Sequence, residues 1–266
     1  MTKIIAIDLG GTNTRATLVE DAKIKKIVKE KTLSKGSKKQ VLNQIISIIK
    51  KLPLKNVEGV ALGLPSKIDD KSKKIIYTTN IPKLKNFNII SELKKEFQVP
   101  IKIANDADCF LLGEKNYGFA KNHSSVIGLI LGTGLGLAII KNNKLVSESK
   151  FFKKEIGYYK YLDKNYEDYC SGKFFKKKGF SGEELYKRAL KKDKNAIEIF
   201  EEFEYHLSKV IEKIISRTKP NIIVIGGSIS KAYKFFKITT INSKIKIVAS
   251  KNENIALLGA YSLFKD

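Results

Sequence analysis

A chain of 266 residues with 42% apolar side chains can bury one large or two modest cores, so a folded globular protein is expected. Its net charge of +24 comes from 51 basic residues, of which only Arg15, Arg188 and Arg217 are arginine. Specific phosphate and base readers favour arginine's planar fork, so these scattered lysines argue against a dedicated nucleic-acid reader and fit background composition or heat adaptation. The minority reading of the charge is a polyanionic phosphoryl donor such as polyphosphate, drawn to a lysine-rich groove.

Other classes are set aside by what the chain lacks. Cys109 and Cys170 form no C-x-x-C pair, which suits a reducing compartment without a disulfide framework. No apolar run approaches a membrane span, and Asp8 interrupts what would be the apolar region of a secretory leader. A cytoplasmic protein with no membrane partner is therefore expected.

The predicted elements alternate between strand and helix. Strands at 3–9, 14–20 and 24–32 form a meander, and the turn Asp8-Leu9-Gly10-Gly11-Thr12-Asn13 joins the first two. Amides and hydroxyls unobstructed by Cβ atoms make this turn a cradle for phosphate oxygens, and Asp8 could hold a hydrated Mg²⁺ beside them. It lacks the G-x-x-x-x-G-K-[ST] pattern and following helix of a Walker loop; taken alone it reads equally as an ordinary hairpin. An amphipathic helix near 37–51 follows, then a buried strand at 57–64 ended by Pro65 and a short strand at 75–77. A helix at 88–97, a strand at 101–104 and a helix at 107–117 complete the first half. The first domain is expected at 1–106, joined by a C-terminal helix within 254–266, and the second at 107–253; the transition falls around 104–118.

In the second half, two apolar runs again flank a glycine turn, Leu131-Gly132-Thr133-Gly134-Leu135-Gly136, within hairpins at 126–148. The following residues read as strand rather than helix, which argues against a dinucleotide fingerprint. An irregular segment at 150–180, helices near 181–191 and 194–218, and a strand at 221–226 ending in Gly226-Gly227-Ser228 come next. A late strand holds Val248, and a closing helix spans 254–263. Two phosphate hairpins and a strand–Gly–Gly turn suggest a nucleotide clamped between two related halves.

Acid–base chemistry falls to carboxylates. Only His123, in a polar loop, and His206, within a helix, are present, so a Ser-His-Asp or Cys-His machine is poorly supported and no His/Cys cluster offers a zinc site. Asp106 follows one strand and opens a helix, at the C-terminal sheet edge where α/β sites form. From the residues alone, Asn105 or Asp106 reads first as a helix N-cap. Both duties can coexist if Asn105 caps while Asp106 faces the site.

The ordered set Asp8-Leu-Gly-Gly-Thr-Asn13, Asn105-Asp106-Ala107, Leu131-Gly-Thr-Gly-Leu-Gly136, Glu155-Ile156-Gly157, Glu167-Asp-Tyr-Cys-Ser171-Gly172 and Ile225-Gly226-Gly227-Ser228, with Leu257-Leu-Gly259-Ala260-Tyr261 at the end, resembles the ROK group of sugar kinases. That resemblance implies the two-domain α/β actin-like ATPase (ribonuclease H-like) fold, with nucleotide and sugar in the interdomain cleft. It implies ATP- and Mg²⁺-dependent transfer of the γ-phosphoryl group to a hydroxyl of a hexose or hexose derivative, as in glucokinases, in a homodimer. Asp106 matches the base that accepts the sugar proton. Asn80, Asn105, Asp106, Glu155, Tyr158 and Glu167 match sugar-contacting positions. Asp8, Gly10, Gly11, Thr12, Asn13, Gly132, Thr133, Gly134, Gly226 and Gly227 match the nucleotide frame, with Asp8 toward Mg²⁺.

The sequence also departs from the family pattern. Many members have histidine where Tyr158 stands, often joined to a Cys-rich zinc motif; no Cys triplet lies between 158 and 172, so no structural zinc is expected. Lys154, Ser66 and Ala138 replace smaller residues. The sugar pocket is thus altered more than the ATP frame, and the identity of the sugar stays open. Polyphosphate as donor and a catalytically weak sugar- and ATP-binding relative are the alternatives. A sugar-sensing repressor should carry an N-terminal helix-turn-helix before the phosphate hairpin. An ATPase switch should lack Asn105-Asp106 together with Glu155 and Glu167.

Overall fold

The computed structural model describes residues 2–69, 72, 74–78, 80–238, 241 and 245–265. The chain divides into two compact units, Met1–Gly118 with Asn252–Asp266, and Phe119–Lys251.

In the first unit, β1 (Lys3–Leu9), β2 (Asn13–Glu20) and β3 (Lys23–Lys31) form an antiparallel meander. Helix α1 (Lys38–Lys50) opens with a reciprocal capping box between Ser37 and Gln40 and buries Val41, Ile45, Ile48 and Ile49. Strand β4 (Gly59–Leu64), buried at every position, runs parallel to β1 on the side away from β2. A small hairpin, β5 (Ser66–Ile68) with β6 (Ile75–Thr78), then leads through α2 (Ile89–Phe97) to β7 (Ile101–Asn105), which pairs in parallel with β4. The sheet order is β3-β2-β1-β4-β7. Continuous apolar runs such as Ile4–Ile7 are what strands covered on both faces require.

Helices α1 and α2 cover one face of that sheet. Helix α3 (Asp106–Tyr117) and the C-terminal helix Ile255–Ser262 pack closely on each other and on the strands. The division between units falls after Gly118 rather than at the expected boundary of 106, which leaves α3 in the first unit, held to the C-terminal helix by two glycines. A Cβ on Gly259 would lie 1.6 Å from the Cys109 carbonyl oxygen, and one on Gly113 would lie 2.0 Å from that of Ile255. Backbone cannot retreat as a flexible side chain can.

The second unit repeats the plan. Strands β8 (Val126–Leu131), β9 (Leu135–Lys141) and β10 (Lys144–Val146) form an antiparallel meander. The segment expected to be irregular at 150–180 carries ordered pieces: a mini-hairpin of β11 (Lys160–Tyr161) with β12 (Lys164–Asn165), then α4 (Tyr166–Tyr169) and α5 (Gly172–Lys177). These pieces are too short to show periodicity, but Asn165 and Ser171 cap them and Phe174 and Phe175 anchor them in the core. Helices α6 (Gly182–Leu190) and α7 (Lys194–Thr218) precede β13 (Ile222–Gly226), a 3₁₀ segment Ser228–Phe235 and β14 (Lys246–Ala249). The C-terminal helix Ile255–Ser262 is α8. The order β10-β9-β8-β13-β14, with β13 parallel to both β8 and β14, matches the first sheet strand for strand. The duplication hinted at by two glycine hairpins therefore extends to whole sheets.

Gly259→Ala is expected to destabilise the chain by about 3 kcal/mol or more, since the added methyl must displace backbone. Urea titration followed by circular dichroism checks this; a midpoint within error of the parent would mean that the two helices adjust freely.

Candidate active site

Because β1, β4 and β7 run in the same direction, their C-terminal ends deliver residues to one edge of the first sheet. The Asp8–Asn13 turn follows β1, Ser66 follows β4, and Asn105-Asp106 closes β7. Asp8 faces Arg15 across the hairpin, and Arg15 donates to its Oδ2 through Nη2 at 2.6 Å and Nε at 3.2 Å. The same guanidinium donates through Nη1 to the Glu253 carbonyl at 2.8 Å and to Asn254 Oδ1 at 3.3 Å. Within the turn, Gly10 N donates to the Asn13 carbonyl at 3.0 Å. A Cβ on Gly11 would come within 2.6 Å of Asn80 Cβ, so Asn80 lies directly against the turn. Thr12 is exposed.

Asn105 is the cap of α3. Its Oδ1 accepts from Ala107 N at 2.8 Å and Asp108 N at 3.4 Å, while its Nδ2 donates to the Ser66 carbonyl at 3.2 Å. That leaves half-buried Asp106 outside the capping duty, although its Oδ1 also accepts from Ala107 N at 2.9 Å. Burial first, then the charge of Asp8 and more weakly that of Asp108, pushes its carboxyl from 3.8 up to about 7, against the opposing pull of the Ala107 amide. A carboxyl poised near neutrality can exchange a proton in either direction at working pH.

The second sheet has a corresponding edge. Parallel β8 and β13 end in the Gly132–Gly134 and Gly226–Gly227 turns. Gly227 has φ +84°, and its Cβ would lie 2.2 Å from the Leu131 carbonyl oxygen, so the two turns abut. Gly132 N donates to the Gly134 carbonyl at 3.1 Å, and Gly172 N donates to the Gly132 carbonyl at 2.8 Å. A Cβ on Gly132, in contrast, would meet nothing within 4 Å. Packing gives no reason for that glycine. Thr133 is exposed beside it.

Glu167 braces this turn. It is buried, its Oε2 accepts from Leu135 N at 3.1 Å, and its Oε1 accepts from Lys173 Nζ at 2.7 Å. A Cβ on Gly134 would lie 2.7 Å from Oε2, which explains the absence of a side chain there. Glu155 precedes the 3₁₀ turn Ile156–Tyr158, where a Cβ on Gly157 would be 3.3 Å from Glu167 Cβ. The Glu155 and Glu167 segments therefore meet at the Gly132–Gly134 turn, with Tyr158 37% exposed. Sequence reasoning missed Arg15 and Lys173. Arg15 is one of three arginines and sits opposite Asp8 by strand alternation, a signal that was available. His206 is buried against Tyr161 and Phe174, where burial lowers its pKa, and its Nδ1 lies 3.0 Å from the Tyr161 hydroxyl. Among the described residues no helix is long and apolar enough to cross a membrane, and no group of three or more His, Cys, Asp or Glu side chains is arranged for a metal.

Two matching sheets, each with a glycine turn at the ends of its parallel strands, define the two-domain actin-like α/β fold used by sugar kinases. The ROK family model matches residues 4–265, and the chain belongs to the ROK family. It is 26% identical to the glucokinase of Thermotoga maritima, covering 99% of this chain and 98% of that one. It is 27% identical to the N-acetyl-D-glucosamine kinase of Mannheimia succiniciproducens, over 85% of this chain and 84% of that one. Among solved structures, the ROK family glucokinase of Streptomyces griseus in complex with glucose and AMPPNP superposes with a TM-score of 0.82 at 20% identity, covering 98% of each chain.

The Asp106 carboxyl has a measurable signature. Its raised pKa favours the folded state below about pH 4, and that contribution is lost as pH rises to about 7. Asp106→Asn is therefore expected to raise the melting temperature at about pH 8 and leave it unchanged at about pH 4. Scanning calorimetry of both proteins across this range checks the sign; equal melting temperatures throughout would place the carboxyl in an ordinary, solvated setting.

Proposed function

We propose that this protein is a sugar kinase that transfers the γ-phosphoryl group of ATP to a hydroxyl of a hexose or hexose derivative. The observation that carries the reading is Asp106: a carboxyl raised to about 7 at the end of β7, relieved of helix capping by Asn105 and adjacent to the first phosphate turn. Phosphoryl transfer asks little more of a protein than alignment, charge stabilisation and one base that takes a proton late. Asp106 receives the proton of the attacking hydroxyl. Asn80, Glu155, Tyr158 and Glu167 supply hydrogen-bonding groups for the remaining hydroxyls, and Asn105 holds the Asp106 backbone in place.

The Asp8–Asn13 turn and the Gly132–Gly134 turn receive donor phosphates through backbone amides, and the open space at Gly132 suits a group that a Cβ would displace. Asp8 suits an ion held through water, because Arg15 fixes its carboxylate without surrounding it and the nearby Asp106 charge makes a cation welcome. Mg²⁺ bound there would offset charge on the bridging phosphate oxygens. Arg15 keeps Asp8 oriented, and Glu167 with Lys173 keeps the second turn in shape.

Release of ADP with Mg²⁺ and ATP across a panel of hexoses, amino sugars and ketoses tests the reading. One or more sugars are expected to stimulate it, and Asp106→Asn is expected to lower turnover about a hundredfold, the scale of general-base loss. Turnover at the parent rate in that variant would remove Asp106 from the mechanism. No response to any sugar with ATP, but a response with polyphosphate, would move the donor assignment toward the reading suggested by the lysine surplus.

A second expectation concerns the donor. Gly132→Ala should melt at the parent temperature, because its methyl meets no protein atom, yet raise the KM for ATP about tenfold by occupying phosphate space. Unchanged KM for ATP would mean that donor phosphates do not approach Gly132.

A further inference from the structure

The edge of the first sheet holds a hydroxyl that the fold itself does not use. Ser66 is 3% exposed, and its Oγ is buried with no hydrogen-bond partner among the described residues. It opens β5 just beyond β4, the strand that lies between β1 with its glycine turn and β7 with Asn105-Asp106. Its neighbours are committed elsewhere. The Ser66 carbonyl accepts from Asn105 Nδ2 at 3.2 Å, and Asn105 Oδ1 caps α3. The facing residue across the β5–β6 hairpin, Thr78, accepts from Ile81 N at 3.3 Å through its Oγ1. A buried hydroxyl without a partner weakens a fold, and alanine would fill nearly the same volume without that cost. A serine retained there is accounted for if a ligand completes its bonding.

We propose that Ser66 Oγ recognises one hydroxyl of the sugar acceptor, other than the hydroxyl deprotonated at Asp106, and so sets part of this protein's sugar selectivity. The inference rests on the sugar-kinase reading above. A serine hydroxyl both donates and accepts, so it pairs with an alcohol group in either sense. The bond to Asn105 fixes the Ser66 backbone to the same strand end as Asp106, which holds the recognised hydroxyl at a set place relative to the reacting one. A site that hydrogen-bonds a substrate hydroxyl rejects the analogue lacking it, because its own polar group is then stranded.

The test uses the full chain, the sugar of highest turnover in the panel and the monodeoxy analogues of that sugar, with ADP release and calorimetric sugar binding as readouts. Ser66→Ala is expected to lower kcat/KM for the parent sugar about tenfold or more, with KM for ATP unchanged. The parent protein should discriminate against one deoxy analogue at a position that Ser66→Ala no longer distinguishes. Without sugar, Ser66→Ala should melt at or above the parent temperature, since it removes an unpaired buried group. Identical discrimination across the deoxy series in both proteins would overturn the proposal. So would a marked fall in the melting temperature of sugar-free Ser66→Ala, which would show the hydroxyl bonded inside the protein. A parent protein that responds to no sugar would instead overturn the kinase reading, and this inference with it.

Discussion

The first unit depends on the close crossing of α3 and α8 at Gly113 and Gly259. Each glycine admits a carbonyl of the partner helix where any Cβ would collide with it. Asp106 is the first residue of α3, so the helix that orients the proposed base is seated by the last helix of the chain. Arg15 adds a polar tie in the same place: it forks onto Asp8 and reaches the carbonyl of Glu253 at the entrance to α8. The glycine turn after β1, the carboxyl and α8 are thereby fixed as one assembly.

The two sheets answer the same problem with the same topology. A three-stranded meander supplies a tight turn rich in backbone donors, and the parallel strands beside it aim their C-terminal ends at the same edge. The halves differ in what those edges carry. The first presents Asp8 and Asp106, acidic groups close enough for one to raise the pKa of the other. The second presents glycine turns braced by a buried carboxylate that is itself neutralised by Lys173.

Much of this was legible in the residues. Strand positions followed from apolar β-formers, and the turns from glycine and threonine between them; the observed β1 matches expectation, and β2 and β7 differ from it only at one end. Asn105 as cap and Asp106 beyond it could be read from the order of residues at a strand–helix junction. The segment at 150–180 could not, because a four-residue and a six-residue helix are stabilised by tertiary contacts of Tyr166, Phe174 and Phe175 rather than by any periodic pattern. The unpaired Ser66 hydroxyl was equally hidden: sequence shows a serine after a proline, but only the packed structure shows it buried without a partner among the described residues. Glu167 was read as a sugar contact, and its grip on Leu135 N and Lys173 emerges only when the second turn is built.

The discontinuity of the first unit bears on how the chain comes to be folded. Residues 2–118 include β1, β4 and β7 but not the helix that lies against α3 and β1. During synthesis the first half therefore emerges with one face of its sheet incompletely covered. It must wait for Phe119–Lys251, a unit continuous in sequence, before α8 arrives. The half that is made second can finish folding first, and the proposed base acquires its final seating only when α8 docks.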